Sequence, residues 1–307
     1  MGEWLARPAL HRVPLARLAN FGAWQFAAQS GGLIAGHADR YLLGAFLQPQ
    51  FVGFYTVAQR LEEAMYIGIL KIGEILFPFF STLQKERSDR VADLLFRSSW
   101  ILNVLAASAL GGLIPVAGPL LHLWTGSEVA AEAQRLLVVL SIAGMLGCSS
   151  NVFAFYLLAS GRSRSNALIA LVTAVFTLVT SALTLPYFGW QAAGWSSCIG
   201  MTAQIVVTMI LLRQSFSAAD IWSRVAHFVL LPLVTGIATA LALRYLAGDQ
   251  LFDAAAPRWW YVGGSYCLAA GIIFVVVVAF ARIGPHGATC WRDLGLIASR
   301  FLPLKVT

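Results

Sequence analysis

Long apolar runs, one after another with only short breaks, constrain this chain more than any other feature. They fall at approximately 20–47, 51–80, 97–121, 135–159, 166–187, 190–212, 225–246 and 259–281. Each holds about 20 or more mostly apolar residues, enough to cross a ~30 Å hydrocarbon layer as a helix. Inside that layer a backbone N–H or C=O finds no water, so a spanning segment must close its own hydrogen bonds. A barrel would need short alternating segments, and the sequence lacks them. The expected fold is all-α: a polytopic membrane protein of about eight transmembrane helices. Charged residues are only 11% of the chain. A soluble domain carries roughly 25%, because water must wet its surface.

The net charge of +7 reads as a topology signal. With the N-terminus placed in the cytoplasm, the inner segments hold Arg7, Arg12 and Arg17; Lys85, Arg87, Arg90 and Arg97; Arg162 and Arg164; Arg213 and Arg224; and Arg282, Arg292, Arg300 and Lys305. The outer segments hold only Arg135, Arg244 and Arg258. This asymmetry follows the positive-inside rule through every span. It predicts a multi-pass protein of the bacterial inner membrane with both termini cytoplasmic. Trp24, Trp100, Trp124, Trp190, Trp259 and Trp260 fall near span ends, where interfacial belts form. Basic charge confined to short loops gives no nucleic-acid surface. The expected organisation is a cytoplasmic segment at 1–19, a six-helix bundle at 20–215, and two further helices with a cytoplasmic tail at 216–307.

Little in the chain suggests chemistry. HExxH, P-loop, GxSxG and DxD patterns are absent from the sequence, so a transporter is expected rather than an enzyme, with no catalytic residue, metal or cofactor. Cys148, Cys198, Cys267 and Cys290 share no metal spacing and read as small apolar residues.

The second span is the exception. Arg60, Glu63, Lys71 and Glu74, with Thr56, share an arc of roughly 80° on a helix, while Glu62 falls on another face. A charge at mid-bilayer costs roughly 2.5–3.5 kcal/mol by insertion scales, so such a ridge is expected to face protein or a wet cavity. Two intrahelical pairs, Arg60–Glu63 and Lys71–Glu74, would be the purely structural explanation. The first span has a matching stripe of Gln25, Gln29, Gly32, Gly36 and Arg40, with Asp39 and His37 at its flanks. Gly32-x-x-x-Gly36 alone reads as helix packing. Ser149, Ser150 and Asn151, and the Thr173 to Thr184 hydroxyls, read as ordinary helix-bonded side chains.

The order of short motifs then resembles a family. Asp39 to Phe46, Val52 to Ala58, Leu76 to Ser81, Ala159 to Arg162 and Pro186 to Gly194 together are similar to the bacterial oligosaccharide and polysaccharide flippases. These include the O-antigen type and belong to the superfamily of multidrug, oligosaccharidyl-lipid and polysaccharide exporters. The resemblance implies two six-helix bundles about a central cavity, often with two extra helices. This chain resembles the second bundle and the extra pair, so a separate N-terminal half, or other polysaccharide-assembly proteins, are implied partners. The implied substrate is a polyprenyl-pyrophosphate-linked oligosaccharide, moved through membrane lipid by alternating access.

Carried onto this chain, the resemblance makes Arg40, Arg60 and Lys71 the cations expected to meet pyrophosphate. Gln25, Gln29, Asp39, Glu63 and Glu74 are the expected polar or ion-coupling groups, with H⁺ or Na⁺ as the coupling ion. Arg40, Arg60 and Lys71 are outnumbered by Asp39, Glu62, Glu63 and Glu74. That excess of acid favours one alternative, a cation-coupled exporter of small organic compounds. A second alternative, a membrane enzyme acting on polyprenyl-linked sugars, would need a metal-binding carboxylate pair at a membrane face, which the sequence does not show.

Overall fold

A computed structural model describes residues 12–75, 88–213, 218–247 and 258–283. The Leu76 to Ser81 motif, Lys85, Arg87, Cys290 and the basic residues of both termini before Arg12 and after Arg282 lie outside that set. Among the described residues there are helices and turns and no strand. The helices are α1 (Arg12–Phe46), α2 (Pro49–Glu74), α3 (Ser88–Thr125), α4 (Ser127–Ala159), α5 (Ser163–Phe188), α6 (Ala192–Arg213), α7 (Ala218–Val225), α8 (Leu231–Ala247) and α9 (Trp259–Phe280). A π-helical turn, Ala226–Leu230, joins α7 to α8 as one rod. Every expected span thus corresponds to a helix.

Six of these rods, α3 to α6, Trp222–Leu246 and α9, are long and apolar enough to cross a membrane. The first two are long enough but more polar, because glutamine, glycine and charge interrupt them. Composition therefore separates α1 and α2 from the rest. They line the site described below.

The apolar faces explain the packing. α3 and α4 are the central helices: their apolar stretches are largely buried, whereas those of α5, α6 and α9 are mostly exposed. Val175, Phe176, Val179, Leu183, Leu268 and Val275 are exposed on those outer helices, as lipid-facing side chains are. α1 packs on α5, α5 on α6, and α6 on α4; α2 packs on α4, and α8 and α9 pack on α3 and on each other. α1 and α2 pack less closely on each other than on these partners. They therefore form opposing walls, one backed by α5 and α6 and the other by α3 and α4.

Turn chemistry keeps the up-and-down order. Gly161 and Gly189 have φ of 71° each, a left-handed value that costs glycine little. Gly161 closes α4 with its N–H on the Leu158 carbonyl, and Gly189 closes α5 with its N–H on Leu185. Two of the short sequence motifs are therefore helix stops. Next to the second stop, Trp190 stacks on Phe51 at 6.0 Å and tilts against Phe54 at 5.9 Å. That cluster ties the α1–α2 turn to the α5–α6 turn. At the other end Arg164 lies 5.4 Å over the Trp24 ring, and Arg224 pairs with Asp93. This second end carries the described members of the basic set.

Two local expectations change. Trp100 and Trp190 are buried, at 1% and 7% exposure; they pack inside the bundle instead of forming an interfacial belt, while Trp124, Trp259 and Trp260 are exposed. Gly32 and Gly36 do not pack helices, because a methyl on either would meet nothing within 4 Å. The close approach of α1 to α5 is made at Gly31, where a Cβ would lie 3.4 Å from the Ala170 backbone.

Candidate functional site

Between the two walls lies a cavity of about 450 Å³. α1 contributes Gly32, Leu33, Gly36, His37 and Asp39; α2 contributes Tyr55, Gln59, Glu62, Glu63 and Tyr66. The floor is Gly144 and its neighbours on α4, Thr173 and Thr177 on α5, and Ser197 and Gln204 on α6. On α5 alone the lining runs from Asn166 to Thr177, roughly 16 Å of helix rise. The open space beside Gly32 and Gly36 belongs to this cavity, so the missing side chains leave room for a guest.

Asp39 anchors the end of the cavity near the Trp190 cluster. It is 1% exposed. Ser181 Oγ donates to its Oδ1 at 2.6 Å, and Tyr55 Oη and Ser197 Oγ donate to its Oδ2 at 3.0 and 3.3 Å. One carboxylate thus joins α1, α2, α5 and α6. Three hydroxyl donors, and no cation among the described residues, offset its desolvation. One turn further, Gln59 bridges the walls. Its Oε1 accepts from Arg40 Nε at 2.9 Å, and its Nε2 donates to the Gly36 carbonyl at 3.1 Å.

At mid-cavity stand Glu62 and Glu63. Neither has a hydrogen bond or ion pair among the described residues. Glu62 presses on α4 so closely that a Cβ on Gly144 would lie 2.2 Å from its Oε1. Deeper still, the Tyr66 hydroxyl and the Asn151 amide are paired, with Nδ2 donating at 3.1 Å. Thr173 Oγ1 reaches Gln204 Oε1 at 3.4 Å and its own helix carbonyl, Ile169, at 2.8 Å.

The residues singled out from the sequence divide into two groups. Asp39 and Glu63 line the cavity. Arg40 is half-buried beside it through Gln59, while Arg60, Lys71 and Glu74 are exposed on α2. Lys71 and Glu74 form an ion pair at 2.9 Å. Arg60 and Glu63 form none, so only one of the two structural pairs exists. Gln29 is exposed, and Gln25 Oε1 is buried without a hydrogen-bond partner.

The α2 residues that do face inward, Tyr55, Gln59, Glu62 and Tyr66, repeat at a helical period. Their stripe is turned about a quarter-turn from the charged ridge, with Glu63 on the boundary. Glu62, set on another face by the ridge, belongs to the cavity. Thr173, Thr177, Ser181 and Ser197 also belong to the site. Their regular spacing along α5, at Thr173, Thr177 and Ser181, is the signal that could have marked them.

Known proteins resemble this chain in both sequence and fold. Residues 1–134 match the family described as Polysaccharide biosynthesis protein. The chain is 26% identical over 180 residues to the probable flippase AglR of Haloferax volcanii, covering 58% of this chain and 38% of that protein. It is 28% identical over 148 residues to the teichuronic acid biosynthesis protein TuaB of Bacillus subtilis, covering 47% and 30%. Among solved structures, the lipid II flippase MurJ in an inward closed conformation superposes with a TM-score of 0.62. Its identity is 10%, over 87% of this chain and 52% of that one. An outward-facing MATE multidrug resistance transporter superposes with a TM-score of 0.51 at 14% identity, over 93% and 68%. The chain therefore spans well under half the length of these curated relatives and about half of MurJ. The resemblance to the oligosaccharide and polysaccharide flippases holds, and the fold is like that of MurJ and the MATE transporter.

Proposed function

We infer that this chain moves a polyprenyl-pyrophosphate-linked oligosaccharide across the bacterial inner membrane, by alternating access, for surface polysaccharide biosynthesis. No bond is made or broken in this reading, so the chain is a carrier and not an enzyme. Both termini and the basic end of the bundle face the cytoplasm. A second six-helix bundle, from a separate or contiguous N-terminal half, would complete the passage opposite α1 and α2.

The observation that carries this reading is a cavity lined by Asp39, Glu62 and Glu63 at the heart of a bundle whose outer helices are apolar. Polar surface at that depth is costly unless it meets water or a polar guest. The two signs of charge are sorted in space. The acids Asp39, Glu62 and Glu63 line the cavity, whereas Arg40, Arg60 and Lys71 stand beside it on α1 and α2. We assign the acids to the coupling ion and the cations to the pyrophosphate. Arg40 suits this role because Gln59 holds its Nε, which fixes the guanidinium plane and leaves the terminal nitrogens for two phosphate oxygens.

A test uses cells lacking their own oligosaccharide flippase. The chain is expressed with and without a matching N-terminal half, and surface polysaccharide is scored. Restoration that is lost in Arg40→Ala and Arg60→Ala supports the assignment. Full restoration by Arg40→Ala/Arg60→Ala/Lys71→Ala removes these cations from the mechanism. The acidic lining favours one second reading, a cation-coupled exporter of small organic compounds. Extrusion of a cationic dye by the same cells, with no polysaccharide restored, would select it.

A further inference from the structure

We propose that Glu62 is the group that carries the coupling proton, and that Gly144 is the notch on α4 that receives its protonated carboxyl. Both residues sit near the middle of their helices, Pro49–Glu74 and Ser127–Ala159, the depth at which a bare carboxylate is hardest to accommodate. The Glu62 side chain lies across the α2–α4 seam. Gly144 has no Cβ to obstruct it, since one would lie 2.2 Å from Glu62 Oε1, and Leu110 of α3 closes the notch at 3.0 Å from the same point.

The groups around Glu62 contain no cation to neutralise it. Glu63 and Tyr66 flank it on α2. Across the cavity α1 presents His37 and Asp39; α5 and α6 present Asn166, Thr173, Ser197 and Gln204. On α4, Cys148 lies one turn beyond Gly144. Among the described residues none of these hydrogen-bonds or ion-pairs with Glu62. Asp39 differs, because three hydroxyls hold its carboxylate oxygens. Of the cavity acids, Glu62 combines a helix-midpoint position, no polar partner, and an apolar slot shaped to its carboxyl.

The step is a simple exchange. The Glu62 O–H bond breaks, the proton passes to cavity water, and the carboxylate left behind leaves the notch for the wet side. Uptake reverses it. Because the notch is the α2–α4 seam, proton loading and the packing of the two walls become one event. This gives the carrier reading its coupling ion, and it rests on that reading only for its purpose.

The experiment reads the proton directly. The full chain, purified into lipid nanodiscs without substrate, is titrated while the carboxylic-acid C=O stretch is followed by infrared spectroscopy. A titrating band that is lost in Glu62→Gln but kept in Glu63→Gln, Asp39→Asn and Glu62→Asp is the expected result. Gly144→Ala, which fills the notch, should cut the wild-type band by at least half at unchanged helicity. A band that persists in Glu62→Gln, or that disappears only in Glu63→Gln or Asp39→Asn, overturns the assignment. If Glu62→Gln does not fold, the Gly144→Ala comparison decides alone, and an unaltered band counts against the notch. Loss of polysaccharide export with the Glu62 band intact would sink the carrier reading and leave this one standing. Export unaffected by Glu62→Gln would do the reverse.

Discussion

Ser181 Oγ donates to Asp39 Oδ1 across 2.6 Å, joining α5 to α1 where both are buried. The hydroxyl and the carboxylate are 142 residues apart in sequence, and each is close to fully enclosed. A buried carboxylate stripped of a donor loses part of its compensation. Measured side-chain hydrogen bonds within a membrane protein average about 0.6 kcal/mol, with a maximum near 1.7. Ser181→Ala should therefore destabilise the bundle by about 1 kcal/mol, read by reversible unfolding in mixed micelles. Asp39→Ala should cost more, since it leaves the Tyr55, Ser181 and Ser197 hydroxyls without their shared acceptor. Unchanged stability in both variants would mean that water replaces the contact freely.

Gly200 faces Thr177 at the α5–α6 contact. A Cβ on Gly200 would lie 1.9 Å from Thr177 Oγ1, 3.2 Å from Thr177 Cβ and 3.3 Å from the Thr173 carbonyl. The first clash is with a single hydroxyl, and the rest are tight but tolerable. Gly200→Ala should cost about 1–3 kcal/mol, the usual range for overpacking. Thr177→Ala on the same chain should recover most of that loss, giving a coupling energy in a double-mutant cycle of the size expected for touching residues. Additive losses would show that the two side chains do not compete for the same space.

Asn103 supports the π-helical turn that joins α7 to α8. Pro232 has no N–H for the carbonyl four residues earlier, which is that of Phe228. Asn103 Nδ2 on α3 donates to that oxygen at 3.2 Å, within a chain segment that is π-helical. The sequence shows the proline but not the rescuer, which lies 125 residues away. Asn103→Leu should destabilise by about 1 kcal/mol, the size of a lost buried hydrogen bond. It should also raise amide exchange in 226–232 first, as measured by hydrogen exchange in detergent. Uniform exchange across the rod would place the support elsewhere.

Much of this fold is legible from hydropathy alone because lipid enforces it. Each apolar run corresponds to a helix, and Gly161 and Gly189 end two of them for a reason visible in the backbone. The site was half-legible. On α1 only part of the polar stripe reaches the cavity: Gly32 and Gly36 line it together with the flanking Asp39, whereas Gln25, Gln29 and Arg40 do not. On α2 the charges draw attention to the ridge of Arg60, Lys71 and Glu74. The wall itself is made by Tyr55, Gln59 and Tyr66, whose amphipathic side chains give a weak periodic signal. Hydroxyls in membrane helices usually bond to their own backbone, as Ser197 also does to Ala193, so Ser181 and Ser197 carry no local mark of a site. What selects them is a carboxylate on another helix, which no local window contains.

The ridge on α2 offers a last test, of whether its exposed face meets water or acyl chains. Lys71 is 66% and Glu74 45% exposed at the side chain, and Arg60 is exposed with no ion-pair partner among the described residues. Val175 on α5 and Val275 on α9 are exposed to a similar degree but are set in apolar surroundings. Burial within the chain cannot tell these faces apart, while reactivity can, because a charged thiol reagent enters a wet cleft and is excluded from hydrocarbon. With Cys267, the exposed cysteine of α9, and Cys290 replaced by serine, cysteine is introduced singly at 56, 60, 175 and 275. Thr56→Cys and Arg60→Cys should react with a membrane-impermeant methanethiosulfonate in whole cells at least about tenfold faster than Val175→Cys and Val275→Cys, a difference of about 1.4 kcal/mol in barrier. Equal, slow labelling at all four positions would put the ridge against lipid, and with it would go the assignment of Arg60 and Lys71 to the pyrophosphate.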